Sequence, residues 1–98
     1  MQRLYTPEKS FVAYIDWNES DNTLLVTFRK NGHQYSYSNF TKRHFDRLKD
    51  ATNKGSYIAI NVINSKKHIG SFVQIVPMAD IEAITMPHTK YYRNFLAR

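Results

Sequence analysis

Apolar positions are not spread evenly along the chain. Between Thr23 and Phe40 they alternate with polar ones: Thr-Leu-Leu-Val-Thr-Phe-Arg-Lys, then Asn31-Gly32, then His-Gln-Tyr-Ser-Tyr-Ser-Asn-Phe. Alternation of period two is the mark of a half-buried strand, and Asn-Gly between two such runs is the strongest short-range hairpin signal. A two-residue type I′ turn, with φ > 0 at both Asn31 and Gly32, predicts a definite register. Phe28 then faces Tyr35, Val26 faces Tyr37 and Leu24 faces Asn39, while Arg29, Thr27 and Leu25 face Gln34, Ser36 and Ser38. One face is apolar and aromatic; the other is mostly polar and is expected to be open.

The pattern then changes period. Phe45, Leu48 and Thr52, with Ala51 beside them, recur at helical spacing over about Thr41 to Asn53. Thr41 or Asn39 can cap the start of this helix, and Gly55 suits the position just past its end. Its apolar stripe should cover the apolar face of the hairpin, which makes Val26, Phe28, Tyr35, Tyr37, Phe45 and Leu48 the expected core. Upstream, Met1 to Lys9 reads as an arm, with Pro7 against a regular element. Ser10 to Trp17 reads as a first strand, and Asn18 to Asn22 as a turn.

Downstream, Ser56 to Ile63 fits a short helix capped by Ser56 with Tyr57, Ile60 and Ile63 inward, in preference to a strand. Lys66-Lys67-His68 forms a basic turn before Gly70. Phe72 to Val76 reads as a strand stopped by Pro77, and Ala79 to Ile84 fits a helix or a strand. Thr89 to Leu96 fits a terminal helical turn or two with Tyr91, Tyr92, Phe95 and Leu96 inward. The expected fold is α+β: a small antiparallel sheet built on a central hairpin, one main helix on its apolar face, and a C-terminal strand and short-helix extension. No composition shift divides the 98 residues, so one domain is expected, with a module at 10–66 and the extension at 67–98.

Composition adds little to the fold but something to function. Cysteine is absent, which removes disulfides, thiolate metal sites and cysteine nucleophiles and fits a reducing compartment. No apolar run approaches the ~20 residues of a membrane span. With no apolar leader at the N-terminus, a cytoplasmic protein without membrane contact is expected. The net charge of +6 is concentrated: from Arg29 to Lys67 there are nine Lys/Arg and two acids, a net +7, against five and six elsewhere, a net −1. A local cationic excess of this kind fits a polyanion partner. Arg43, Arg47 and Lys54, with Lys42, Lys66 and Lys67, are the candidate phosphate contacts, because Arg pairs phosphate bidentately. The competing reading is a solvated helix face with Arg43–Asp46 and Arg47–Asp50 pairs. Arg29 should lie on the far side of the sheet from the helix.

The order of landmarks resembles that of the KTSC domain, a module found at the C-terminus of some lysyl-tRNA synthetases and as stand-alone small proteins. The residues that carry the likeness, over roughly 10–63, are Trp17-Asn18, Leu24, Val26, Phe28, Gly32, Tyr35, Tyr37, Phe45, Leu48, Ala51, Gly55 and Tyr57. Trp17-Asn18 stands where Tyr-Asp is usual, and Phe40-Thr41 where Val-Pro is usual. The resemblance implies the fold, and implies RNA binding only through the synthetase context. No histidine pair has metal-ligand spacing, no catalytic motif appears, and neither a cofactor nor a catalytic residue is expected. A ribonuclease-type activity using His33 or His44 as base is the enzyme alternative. The sequence therefore points to a non-enzymatic module that binds RNA or another nucleic acid with little sequence specificity. The alternative is a bacterial or phage protein–protein interaction factor using the C-terminal extension, Tyr91-Tyr92-Arg93 included. Oligomeric state is not legible.

Overall fold

In a computed structural model that describes residues 1–88, five strands form a single antiparallel sheet in chain order. They are β1 (Gln2–Tyr5), β2 (Val12–Asn18), β3 (Thr23–Phe28), β4 (His33–Tyr37) and β5 (Gly70–Ile75). Between β4 and β5 lie α1 (Lys42–Asp50), α2 (Lys54–Ile58) and a π-helical turn, Ala59–Ile63; α3 (Met78–Thr85) follows β5. The fold is α+β. The terminal segment with Tyr91, Tyr92, Phe95 and Leu96 lies outside the described residues.

The hairpin pairs two residues away from the expected register: Leu24 faces Tyr37, Val26 faces Tyr35 and Thr27 faces Gln34. A shift of two leaves every side chain on its expected face, because the side-chain period is two. The cause is the turn. Only Gly32 takes positive φ (73°), and Asn31 does not. Arg29 to Gly32 form a four-residue loop in which Gly32 N–H donates to Phe28 O at 2.9 Å, and the Asn31 side chain accepts from His33 N–H at 2.9 Å. An Asn side chain that bonds the backbone two residues on stabilises this longer loop. Its C=O partner lies elsewhere: Gly32 O accepts from Val76 N–H at 2.8 Å, which ties the turn to the chain after β5.

The apolar face carries the main core: Val12, Ile15, Trp17, Leu24, Val26 and Tyr37 from the sheet, then Phe40, and Phe45, Leu48, Ile58 and Val62 from the helices. Phe45 stacks on Trp17 with centroids 4.6 Å apart, and the indole N–H donates to Phe40 O at 2.7 Å. Phe28 and Tyr35 are half-buried at the margin, edge to face at 6.0 Å. Tyr37 is buried, and its ring occupies the place where a side chain at Gly70 would stand. Burial holds the Tyr37 phenol above its ordinary range.

Four local expectations change. Met1 to Lys9 is not a free arm: its first half pairs with β2 as β1, and Pro7 sits in the following turn, where its carbonyl accepts from Ser10 N–H. The main helix ends at Asp50, because Asn53 caps a second helix through Ser56 N–H. Gly55 therefore lies inside α2 rather than past the end of α1, and Thr52 is exposed. The inward residues of the next segment are Ile58 and Val62, not Ile60 and Ile63, because its helix starts earlier and widens into a π turn.

The polar face of the hairpin is also not open. Thr27 is fully buried and Gln34 nearly so, beneath Val76 and Ile81 packed on Ala13 and Tyr14. Their polar groups are paired in a ladder across three strands: Gln34 Nε2 donates to Thr27 Oγ1 at 3.0 Å, and Gln74 Nε2 to Gln34 Oε1 at 3.1 Å. Burial without an unmet donor or acceptor is what makes such a face tolerable. The buried Asp16 on the same face is held by Arg3 through two bonds of 2.6 and 3.0 Å.

Candidate nucleic-acid interface

The start of α1 determines where its charges point. Thr41 caps the helix in a reciprocal box in which the third helical residue is His44 rather than the usual Glu or Gln. Thr41 N–H donates to His44 Nδ1 at 3.2 Å. Nδ1 must therefore be unprotonated, and the neutral ring carries its proton on Nε2. With Phe45 and Leu48 anchored in the core, Arg43 and Arg47 are left exposed.

Neither arginine is neutralised by its helix. Asp46 is taken by Lys42 at 3.0 Å and approached by Lys49 at 3.9 Å, and neither the Arg43–Asp46 nor the Arg47–Asp50 pair of the solvated-face reading forms. Among the described residues Arg43 and Arg47 have no carboxylate partner.

The basic turn between the π segment and β5 lies against this helix. His68 is buried, and its Nδ1 donates to Ser38 O at 3.0 Å; a carbonyl can only accept, so Nδ1 carries the proton. The His44 and His68 rings meet edge to face at 4.8 Å, with the Phe40 ring against both. The His44 pKa lies below its ordinary value, first through burial and then through His68, Arg47, Lys67 and Arg43. Arg43, Arg47 and Lys67 thus share the electrostatic neighbourhood of His44, with Lys66 exposed next to Lys67. The sequence placed His68 in the basic turn but gave no signal that it would meet His44, which it reaches only through the β5 connection. The Thr-x-x-His spacing at 41–44 was a visible but unusual capping signal.

Two residues of the expected set stand apart. Lys42 is engaged with Asp46. Lys54 is on α2, not on α1; its Nζ donates to Ala51 O at 3.3 Å, and it lines a separate cleft of about 540 Å³ with Lys9, Ser10, Phe11 and Ser56. Arg29 is a structural clamp, its guanidinium donating to the carbonyls of Ser10, Pro7 and Val12 at 2.9–3.3 Å, and burial lowers its pKa. Among the described residues no helix is long and apolar enough to cross a membrane.

The strand–hairpin–helix core that presents these charges has a known counterpart. A family model described as the KTSC domain matches residues 8–65. The chain belongs to the KTSC domain family. The match covers β2 through the π segment; β5, α3 and the basic turn at Lys66–His68 lie beyond it. In this KTSC protein the patch is therefore composite, with Arg43 and Arg47 from the family domain and Lys67 and His68 from the segment after it. No curated protein matches the chain.

Proposed function

We propose that this protein is a non-enzymatic module that binds RNA or another nucleic acid, through phosphate contacts made by Arg43, Arg47 and Lys67, with Lys66 beside them. The observation that carries this reading is the pair of exposed α1 arginines without carboxylate partners, which share with Lys67 the electrostatic neighbourhood of His44. Free guanidinium groups on a rigid helix are suited to phosphate oxygens, and contacts of that kind position a backbone without reading bases. Tyr37 is core and is not offered to bases, while Tyr35 is half-buried between the rings of Phe28 and Phe72. Lys42 and Lys54 play at most a peripheral part.

The test is titration of labelled single-stranded RNA at several salt concentrations. Each phosphate contact contributes roughly −0.7 to the slope of log affinity against log salt. The triple variant Arg43→Ala, Arg47→Ala, Lys67→Ala should flatten the slope by about 2 on that scale, while Lys54→Ala leaves it nearly unchanged. No binding at low salt, or a slope indifferent to the triple variant, removes the reading. A role in protein binding for the chain after residue 67 is favoured by one specific feature, the exposed strand β5.

A further inference from the structure

The two edges of the sheet are unlike. β1 is four residues long, carries Arg3 and runs into Pro7, features that discourage strand addition. β5 is longer and carries no charge, and Pro77 follows it as Pro7 follows β1. From Ile69 to Val76 the chain reads Ile-Gly-Ser-Phe-Val-Gln-Ile-Val, without a charge or a proline. Its apolar side chains stand in solvent: Ile69 is 71% exposed, Ile75 60%, Phe72 52% and Val73 46%. Fractions this high at four of eight positions leave a long apolar edge, not an isolated surface residue.

The backbone of this edge is available too. Ser38 N–H donates to Ile69 O, and Val76 N–H to Gly32 O. Alternate residues of an antiparallel strand turn their groups the other way, and the pairing gains one extra residue at Val73. Gly70, Phe72 and Ile75 therefore direct their N–H and C=O groups away from β4, toward no neighbouring strand among the described residues.

We propose that β5 pairs antiparallel with β5 of a second copy of this chain, joining the two five-stranded sheets into one continuous sheet across a two-fold axis. Charge selects both the occupant and the direction. The chain is strongly cationic, so two copies can approach closely only along a surface free of charge, and β5 is such a surface. The strand is bounded by unlike charges, Lys66 and Lys67 before it and Asp80 and Glu82 after it. Antiparallel pairing brings the basic turn of each copy to the same end of the seam as the acidic start of α3 of the other. It also separates the two basic turns by the length of the strand, about 20 Å, beyond the screening length of about 8–10 Å at moderate salt. Parallel pairing would place the basic turns side by side. Closure through the same patch on both copies uses up the edge, so the assembly ends at two.

Sedimentation equilibrium of the full chain, without nucleic acid, over 1–100 µM tests this. The expected mass is twice 11.6 kDa at the upper concentrations. Val73→Lys and Ile75→Lys each put a charge into the seam twice, once from each copy, and should weaken dimerisation at least tenfold. Both positions are exposed in the single chain, so unchanged thermal melting in dilute solution verifies that the fold is kept. A chain that stays monomeric at 100 µM overturns the proposal, whether the edge is covered by residues 89–98 or reserved for a different protein. A dimer indifferent to both variants, or open-ended larger species, overturns it equally.

Discussion

Asn31 and Gly32 provide the sharpest test of how the hairpin turns. A two-residue type I′ loop would hold both at positive φ, so replacing either with Ala would cost backbone strain. In the four-residue loop only Gly32 is at positive φ. Asn31→Ala then loses one hydrogen bond, to His33 N–H, worth about 0.5–1.5 kcal/mol. Gly32→Ala is a larger change. Left-handed backbone costs a non-glycine residue roughly 1–2 kcal/mol. A Cβ there would also press against the Val76 carbonyl, so Val76 must move and its N–H bond to Gly32 O is endangered. An unmet buried N–H adds about 1–3 kcal/mol. The total is about 2–5 kcal/mol, a large share of the roughly 5–15 kcal/mol that stabilises a small domain. Urea unfolding of the two variants measures both costs at unchanged m-value. Equal losses would refute the four-residue loop and restore the type I′ turn. Gly32→Asn separates the two contributions: Asn tolerates the left-handed region, so recovery to near wild type would show that the Val76 contact is unimportant.

Two other stability predictions follow from the same packing. Tyr37→Ala removes a buried ring and should cost about 3–5 kcal/mol, whereas half-buried Tyr35→Ala should cost clearly less; reversal of that order in urea unfolding would place the wrong tyrosine in the core. The His44 pKa is lowered in the folded chain, so between that value and the ordinary 6.5 the unfolded chain binds the extra proton. This contribution leaves stability untouched well above pH 6.5 and reduces it as pH falls through the window. The difference in urea midpoint between wild type and His44→Gln, followed from pH 8 to 5, should therefore move against the wild type as pH falls, and a flat difference would contradict the lowered pKa that burial and the neighbouring cations impose on His44.

Much of the fold was legible because period is a robust signal. Alternation at 24–26, Tyr37 and the Phe45–Leu48 spacing bury Leu24, Val26, Tyr37, Phe45 and Leu48 where pattern alone would put them, whereas Phe28 and Tyr35 reach only the margin of the core. Turn chemistry was less legible: Asn-Gly favours a type I′ loop, yet the longer loop gains the Asn31 and Val76 bonds, the second supplied by a segment 44 residues away. The same long-range cause hid the second layer. Thr27 and Gln34 look like a solvent face until Val76 and Ile81 pack on that side of the sheet, and nothing local announces that Gln34 and Gln74 will satisfy one another. At the candidate site the sequence named Arg43, Arg47 and Lys67 individually. It could not show that Asp46 goes to Lys42, that Lys54 turns off onto another helix, or that His68 arrives beside His44.

Those three facts bear on one another. A cationic helix usually neutralises itself through pairs three or four residues apart, and α1 does so for its lysines only. Exposed pairs of this kind are worth only tenths of a kcal/mol, so the partitioning costs little stability while leaving both arginines free. The cation that joins them, Lys67, could not be supplied by α1 without adding another charge within one helical turn. It comes instead from the chain that returns to form β5, and the His68–Ser38 bond fixes that return against the end of β4. A patch assembled from two segments is thus held by the sheet rather than by the helix. Weakening the β4–β5 junction should then loosen Lys67 from Arg43 and Arg47 without unfolding α1. Ser38 offers only its backbone carbonyl to that bond, so His68→Ala is the substitution that probes it. Its expected signature is a shallower salt dependence of RNA binding with α1 helicity retained. Loss of helicity in step with binding would mean that α1, and not the sheet, holds the patch together.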